Sequence, residues 1–542
     1  MMTFRCCAVL FGISCCAVAG GQAVDVDRGG FVAGGSDAGP PPALAQPCIP
    51  PARRAELERF MLRLDAQLPG DGPASAARPR AFPLFEFYPI GGDIYGDLFI
   101  NNYTDLNGTA PGVLDWDCSN HTYHTHRGHD VGLKSFEEQF IGVPIFAALP
   151  GTVIDRDDGH FDQNTVWAQQ PANFVVIDHG DIEPGLRTFY WHMRNGSVLP
   201  QIGDRVEAGQ QIGLVASSGN SDGPHLHFEV WRNGSWVETM SGPCSPFESM
   251  WANQWQKPTE HYTRDFGFFR ELFDPAWQRP EPFPRDRAVT LDTDRVTYWT
   301  MGNFLPQDTT YRFRFYMPGG QLDFDSGTRP LGFTSAGFSR FYWAFFYWNI
   351  ADMQRVPGVW TVAFDLNGVR QVTTPITVLD DGENYVNQPP LPVFPTLEPA
   401  NPDPDDAIVA RINSDLVIDD IEHDLVRYRY TWTIDGVVVR DVISAGHADM
   451  IPSVNAFGGG SAVRVDVTPS DGTDEAITTA AEVTVSQPCP ADTNGDGQLS
   501  PNDFNAWILA FNNQSPACDQ NGDGDCRQND FNAWILNFNA GC

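Results

Sequence analysis

"GDRVEAGQQIGLVASSGNSDGPHLHFEV", residues 203–230, is the stretch on which the fold turns. Gly and Pro break its first part into short runs, and the last six residues, "HLHFEV", alternate polar with apolar. In extended chain successive side chains point to opposite faces, so His225, His227 and Glu229 share one face of a strand. Leu226, Phe228 and Val230 then turn towards a core. Two histidines on one strand face can both bind a metal, or one can bind while its neighbour moves protons. The spacing leaves both options open.

Two upstream segments have the same character. "RTFYWHM" (187–193) alternates and is expected to place Tyr190 and His192 on one face. "HTYHTHRGHD" (121–130) holds four of the chain's 12 histidines. Gly128 and the β-like "DVGL" that follows argue against a helix here, so His126 and Asp130, four apart, share a face in extended chain. A catalytic zinc site takes three N or O ligands and keeps one position open. His126, Asp130 and one histidine of "HLH" would supply them. His121, His124 and His179 read as loop polarity or supporting hydrogen bonds, and His129 as pointing away from the metal.

In this order, "HRGHD", "YWH" and "SDGPHLHFE" resemble the lysostaphin or LytM-type zinc endopeptidases, which cut peptide cross-bridges in bacterial cell walls. The resemblance covers 81–256, about a third of the chain. It implies one zinc held by His126, Asp130 and His227, with His192 and His225 as the catalytic pair. "DWDCSNHTYHTHRGHD" and "SGPC" are similar to a secreted branch of the family, which usually has a small residue where His129 stands.

The rest of the chain sets the context. A net charge of −35 disfavours nucleic acid and anionic lipid as partners. "MMTFRCCAVLFGISCCAVAGGQAV" reads as a signal peptide over 1–19, with Arg5 ahead of an apolar run and a small-x-small site at Ala17-Val18-Ala19. The expected location is therefore secreted or cell-surface, and no other stretch is long enough to span a membrane. Beyond that leader stand Cys48, Cys118, Cys244, Cys489, Cys518, Cys526 and Cys542. Cys118 and Cys244 bracket the histidine-rich region; pairing them leaves Cys48 odd.

Residues 20–80 read as a flexible stalk or propeptide with a short helix, 52–68 having helical spacing at Leu57, Met61 and Leu64. Pro-rich "DPAWQRPEPFPRD" marks a linker within 257–286. Residues 287–379 and 404–487 read as immunoglobulin-like β-sandwiches, with hairpin turns at Asn367-Gly368 and Asp435-Gly436 and a Pro-rich linker over 380–403. The aromatic strand "FYWAFFYW" (341–348) fits a sandwich core better than a carbohydrate platform.

Within 488–542 an internal repeat closes the chain: "DTNGDGQLSPNDFNAWILAF" (492–511) returns as "DQNGDGDCRQNDFNAWILNF" (519–538). Each copy places hard oxygen ligands as an EF-hand-type loop does. The expected ligands to two calcium ions are Asp492, Asn494, Asp496 and Asp503, then Asp519, Asn521, Asp523 and Asp530. Each loop precedes a helix whose apolar face is expected to be Phe504, Trp507, Ile508 and Phe511, repeated as Phe531, Trp534, Ile535 and Phe538. The pair resembles a dockerin module flanked by cysteines and ending in Gly-Cys, which implies a cohesin-like or surface-anchoring partner.

The fold expected is mainly β and multidomain: a β-sheet zinc peptidase domain, two immunoglobulin-like sandwiches and a small α-helical EF-hand-like dockerin module. The function expected is a secreted zinc metalloendopeptidase acting on peptidoglycan or Gly-rich peptide. The alternative is a non-catalytic wall-binding or regulatory protein that retains the peptidase fold.

Overall fold

The computed structural model describes residues 48–66, 84–107, 112–167, 170–245, 247–258, 260–270, 285–293, 295–306, 308–331, 356–413, 419–453, 459–486, 489–494, 498–521 and 524–541, and the backbone alone of 29–37 and 339–349. The signal peptide expected over 1–19 and the expected calcium ligands Asp496 and Asp523 lie outside the described residues. The chain is mainly β. No helix among the described residues is long and apolar enough to cross a membrane.

The histidine-rich region forms an eight-stranded antiparallel sheet. Its strands run Phe99–Asn102, His129–Gly132, His225–Arg232, Leu186–Met193, Asn173–Asp178, Gly151–Asp157 and Arg205–Val206, with Ser235–Val237 paired to His225–Arg232. "HLHFEV" is thus a central strand, hydrogen-bonded on both sides, with His227 opposite Asp130 on one neighbour and Trp191 on the other. Its alternation separates two apolar layers. Leu226, Phe228 and Val230 enter a core with Val175, Ile177 and Tyr190. On the opposite face Trp231 packs with Phe174, Val176, Phe189 and Trp191.

Helix Pro51–Asp65 packs on that second face through Leu57 and Met61, which join the same cluster. Four ion pairs fasten it: Arg53–Asp155 at 2.8 Å, Arg54–Glu229 at 2.7 Å, Glu58–Arg127 at 3.0 Å and Asp65–Arg187 at 2.6 Å. The expected short helix is present, but as a docked element of the domain. Cys118 and Cys244 are joined, and Cys48 is the one free cysteine among the described residues.

Three expected boundaries need correction. Gly29–Asp37, expected in a stalk, is a strand paired to Ser339–Asn349. Tyr262–Phe269, expected in a linker, pairs with Arg295–Leu305 in the same four-stranded sheet. Phe394–Glu398, expected in the second linker, pairs with Ile408–Asn413. In each case a short segment beside Pro- or Gly-rich sequence has the edge of a sheet to complete, and its backbone groups pair there.

Tyr262–Phe269 and Arg295–Leu305 pack against a second sheet built around Gly358–Leu366 and Val369–Leu379, with Tyr298, Phe313, Trp360 and Phe364 between them. A further pair of sheets follows, of three and four strands, enclosing Tyr428, Tyr430, Trp432 and Val465. The two expected hairpins are there: Asn367-Gly368 and Asp435-Gly436 both have positive φ, as a tight two-residue turn demands.

At the C-terminus, helices Pro501–Asn513 and Gln528–Ala540 enclose Phe504, Trp507, Phe511, Phe531, Trp534 and Phe538. Ile508 and Ile535, expected on the apolar face, are instead 39% and 38% exposed. The two-helix core is narrow, and the bulkier aromatics fill it.

Candidate metal centre

Sheet register brings together residues about a hundred positions apart. Asp130 Oδ1 stands 2.7 Å from His227 Nδ1 and 3.1 Å from His126 Nε2, and those nitrogens are 3.2 Å apart. All three side chains are buried. Donors around one zinc, at bond lengths of about 2.0–2.2 Å, stand about 3.3 Å from each other, so this set of two imidazoles and a carboxylate fits that ion.

The far side of each ring is held. His126 Nδ1 donates to the Tyr103 carbonyl at 2.7 Å, which leaves Nε2 facing inward. His192 Nδ1 donates to the Ser218 carbonyl at 2.6 Å, and His225 Nδ1 to the Gly223 carbonyl at 2.8 Å. Those bonds fix each tautomer and aim the other nitrogen at the cluster. His192 Nε2 is buried there with no hydrogen-bond partner among the described residues. The His192 and His225 rings are 4.4 Å apart, and His192 lies 6.1 Å from His227.

His192 reaches this place against the expected alternation. Its φ is +67°, which turns the ring away from the face of Tyr190 and onto the face of His225. Tyr190 is in the opposite core, its hydroxyl accepting from the Ala148 N–H at 2.8 Å. The expectation that Tyr190 and His192 share a face is therefore corrected.

Local backbone explains the spacing of "HRGHD". Gly128 has φ +152°, and a Cβ there would meet the Phe228 carbonyl oxygen at 2.5 Å. Only glycine lets this loop lie against the central strand. Asp130 is further held by Asn102, whose Nδ2 donates to Oδ2 at 3.0 Å.

Charge follows geometry. Burial would raise the Asp130 carboxyl, but His126 beside it holds it well below the usual range. Burial depresses His192 below its ordinary value and keeps it neutral. His126 and His225 are also penalised by burial, yet the Asp130 charge and the Cys48 thiol bring each up to about 9.

The other histidines sit elsewhere. His129 faces the opposite side among Tyr88, Tyr103 and Trp255, 3.4 Å from Glu238. His121 packs on Tyr103, His124 lies near Asp105, and His179 ties Pro150 to Thr188.

One participant is not singled out by the sequence: Cys48 is only the odd cysteine there, yet its Sγ lies 3.6 Å from Asp130 Oδ1. Glu229, which strand alternation places on the face of His225 and His227, is buried 3.5 Å from His227 Nε2 and held by Arg54. The leftover in the cysteine pairing is the signal for the first, and the alternation for the second.

In the C-terminal repeat, Asp503 and Asp530 cap their helices, accepting from the backbone N–H of Ser500 and of Arg527, both at 2.7 Å. Their other oxygens accept from Asn494 N at 3.3 Å and Gln520 N at 3.1 Å.

A buried His, Asp and His donor set stands beside a second histidine pair on one β-sheet, a group of side chains that could hold a metal ion. Residues 124–239 match the model of peptidase family M23. Over 115 residues the chain is 32% identical to peptidoglycan DD-endopeptidase ShyA of Vibrio cholerae, covering 21% of this chain and 22% of that protein. It is 39% identical over 134 residues to murein hydrolase activator EnvC of Escherichia coli, covering 24% and 29%. Among solved structures, the catalytic domain of the antimicrobial peptidase lysostaphin from Staphylococcus simulans aligns at 25% identity and a TM-score of 0.17, covering 26% of this chain and 90% of that one. The chain spans about a quarter of the length of the curated relatives it matches first.

Proposed function

We propose that the chain is a secreted zinc metalloendopeptidase that hydrolyses peptide bonds in peptidoglycan cross-bridges. The observation that carries this reading is the convergence of His126 Nε2, Asp130 Oδ1 and His227 Nδ1 beside His192 and His225. His126, Asp130 and His227 would hold the ion. Zinc, when bound, supplies Lewis acidity to the scissile carbonyl and to the attacking water.

The remaining chemistry belongs to the chain. His192, neutral and bare at Nε2, accepts a proton from the attacking water. His225, its Nδ1 tied to the Gly223 carbonyl, presents Nε2 to donate to the developing oxyanion and then to the leaving amine. Glu229 lies 3.5 Å behind His227 Nε2, adds a negative charge there and is itself fixed by Arg54.

Around this domain the layout proposed is a signal peptide, two immunoglobulin-like modules and a dockerin-like module. Asp492, Asn494, Asp496 and Asp503, with Asp519, Asn521, Asp523 and Asp530, are its two calcium ligand sets. A cohesin-like or surface-anchoring protein is its partner class. The likeness to an activator, EnvC, favours one second reading: a regulatory wall protein without catalysis.

Incubating Cys48→Ala chain with sacculi separates the two. New amino termini are expected, lost on adding a chelator and lost in the Cys48→Ala/His225→Ala double variant. Release that survives both treatments overturns the zinc mechanism, and no release from any wall favours the regulatory reading.

A further inference from the structure

The thiol of Cys48 stands inside the donor cluster. Its Sγ lies 3.6 and 3.7 Å from the two Asp130 oxygens and 3.9 Å from His225 Nε2. The ligand atoms of Cys48, His126, Asp130 and His227 all lie within 4.8 Å of one another. The Tyr123 hydroxyl donates to Sγ at 3.1 Å, and the Cys48 N–H donates to that hydroxyl at 3.2 Å. Cys48 is buried, and all the other cysteines among the described residues are in disulfides.

We propose that Cys48 is a fourth zinc ligand, which fills the coordination position that peptide hydrolysis needs and so holds the enzyme latent. This rests on the zinc reading above. Three ligands and an open position make a catalytic zinc, whereas a thiolate in the fourth place makes the closed set of a structural one. Thiolate is a strong zinc ligand, so water does not displace it unless the segment that carries it withdraws.

That segment is built to stay. Cys48 is followed directly by Ile49, which is buried in the same cluster as Leu57 and Met61 of the docked helix. Arg54 reaches Glu229 at 2.7 Å, and Glu229 lies behind the ligand His227, so helix and metal site share a charged contact. Asp65 closes the far end on Arg187. Docking of the helix and seating of the thiol are therefore one event. In the open enzyme Cys48 would be withdrawn with its segment, leaving His126, Asp130 and His227 to hold the ion.

Cobalt(II) in place of zinc gives the test a readout independent of activity. The full chain loaded with cobalt is expected to show thiolate-to-cobalt charge-transfer absorption in the near ultraviolet. Cys48→Ala is expected to lose that band and keep the visible cobalt bands, which show that the site still forms. The variant is also expected to release amino termini from sacculi at least about tenfold faster than the parent chain. Iodoacetamide labelling of Cys48, followed by peptide mass, is expected to be at least about tenfold slower with zinc than after chelation.

Cobalt bound with identical spectra in both chains, or labelling indifferent to zinc, overturns the fourth ligand and leaves the zinc reading standing. A chain that takes up neither metal overturns both.

Discussion

Gly128 shows how tightly single residues fix the centre. A side chain at this position would meet the Phe228 carbonyl and force the loop holding His126 away from the strand holding His227. Gly128→Ala is therefore expected to weaken zinc binding about 10- to 100-fold, measured by chelator competition. His225 and His227 were legible because strand alternation is a strict period of two. His192 was legible by its motif but not by its face, since one residue with positive φ reverses the alternation and no local pattern announces it. His179 is a different kind of residue, a pin with both ring nitrogens bonded inside the fold. Burial pushes it down to about 4 from an ordinary value near 6.5. With the folded value depressed, the unfolded chain binds the proton more readily. Its contribution is fully present above about pH 6.5 and is lost as pH falls towards 4. Urea midpoints at pH 7 and pH 4.5 check this: the drop is expected to be smaller in His179→Gln.

The helix Pro51–Asp65 is the element on which access to the site depends. Its amphipathic spacing was plain, yet what it covers was not, because its ion pairs reach strand residues 102 to 175 positions away. Arg54 and Glu229 are both buried, so removing one leaves the other charged and unpaired. Arg54→Met is expected to destabilise the domain by about 3 kcal/mol, and Arg54→Met/Glu229→Gln by less than Arg54→Met alone. Denaturation of the single and double variants measures the difference; equal losses would make Glu229 a bystander. In the C-terminal pair, helices were legible from the 3.6-residue pattern, but the width of the apolar face was not. Two short helices leave room for aromatics and turn Ile508 and Ile535 towards solvent.

Across the whole molecule, the Pro-rich segments drew attention to breaks and hid the strands beside them, Tyr262–Phe269 and Phe394–Glu398. A strand at a sheet edge needs only a few alternating residues and a partner, and the partner is not visible locally. The bond between Cys118 and Cys244 ties positions 126 apart across the domain of the eight-stranded sheet. Closing so long a loop is worth about 4–5 kcal/mol in the chain-entropy account, so Cys118→Ala/Cys244→Ala is expected to lower the thermal midpoint of that domain. Calcium is expected to add helix content and protease resistance to the C-terminal pair; indifference to calcium rejects those loops as ion sites. The proposed zinc centre unites the N-terminal segment, the loop at His126 and the central strand. X-ray absorption at the zinc edge of the purified full chain tests it most directly. The account predicts one zinc per chain with three N or O neighbours at about 2.0–2.2 Å and one sulfur at about 2.3 Å. A chain that retains no zinc, or a zinc with no imidazole around it, contradicts the account.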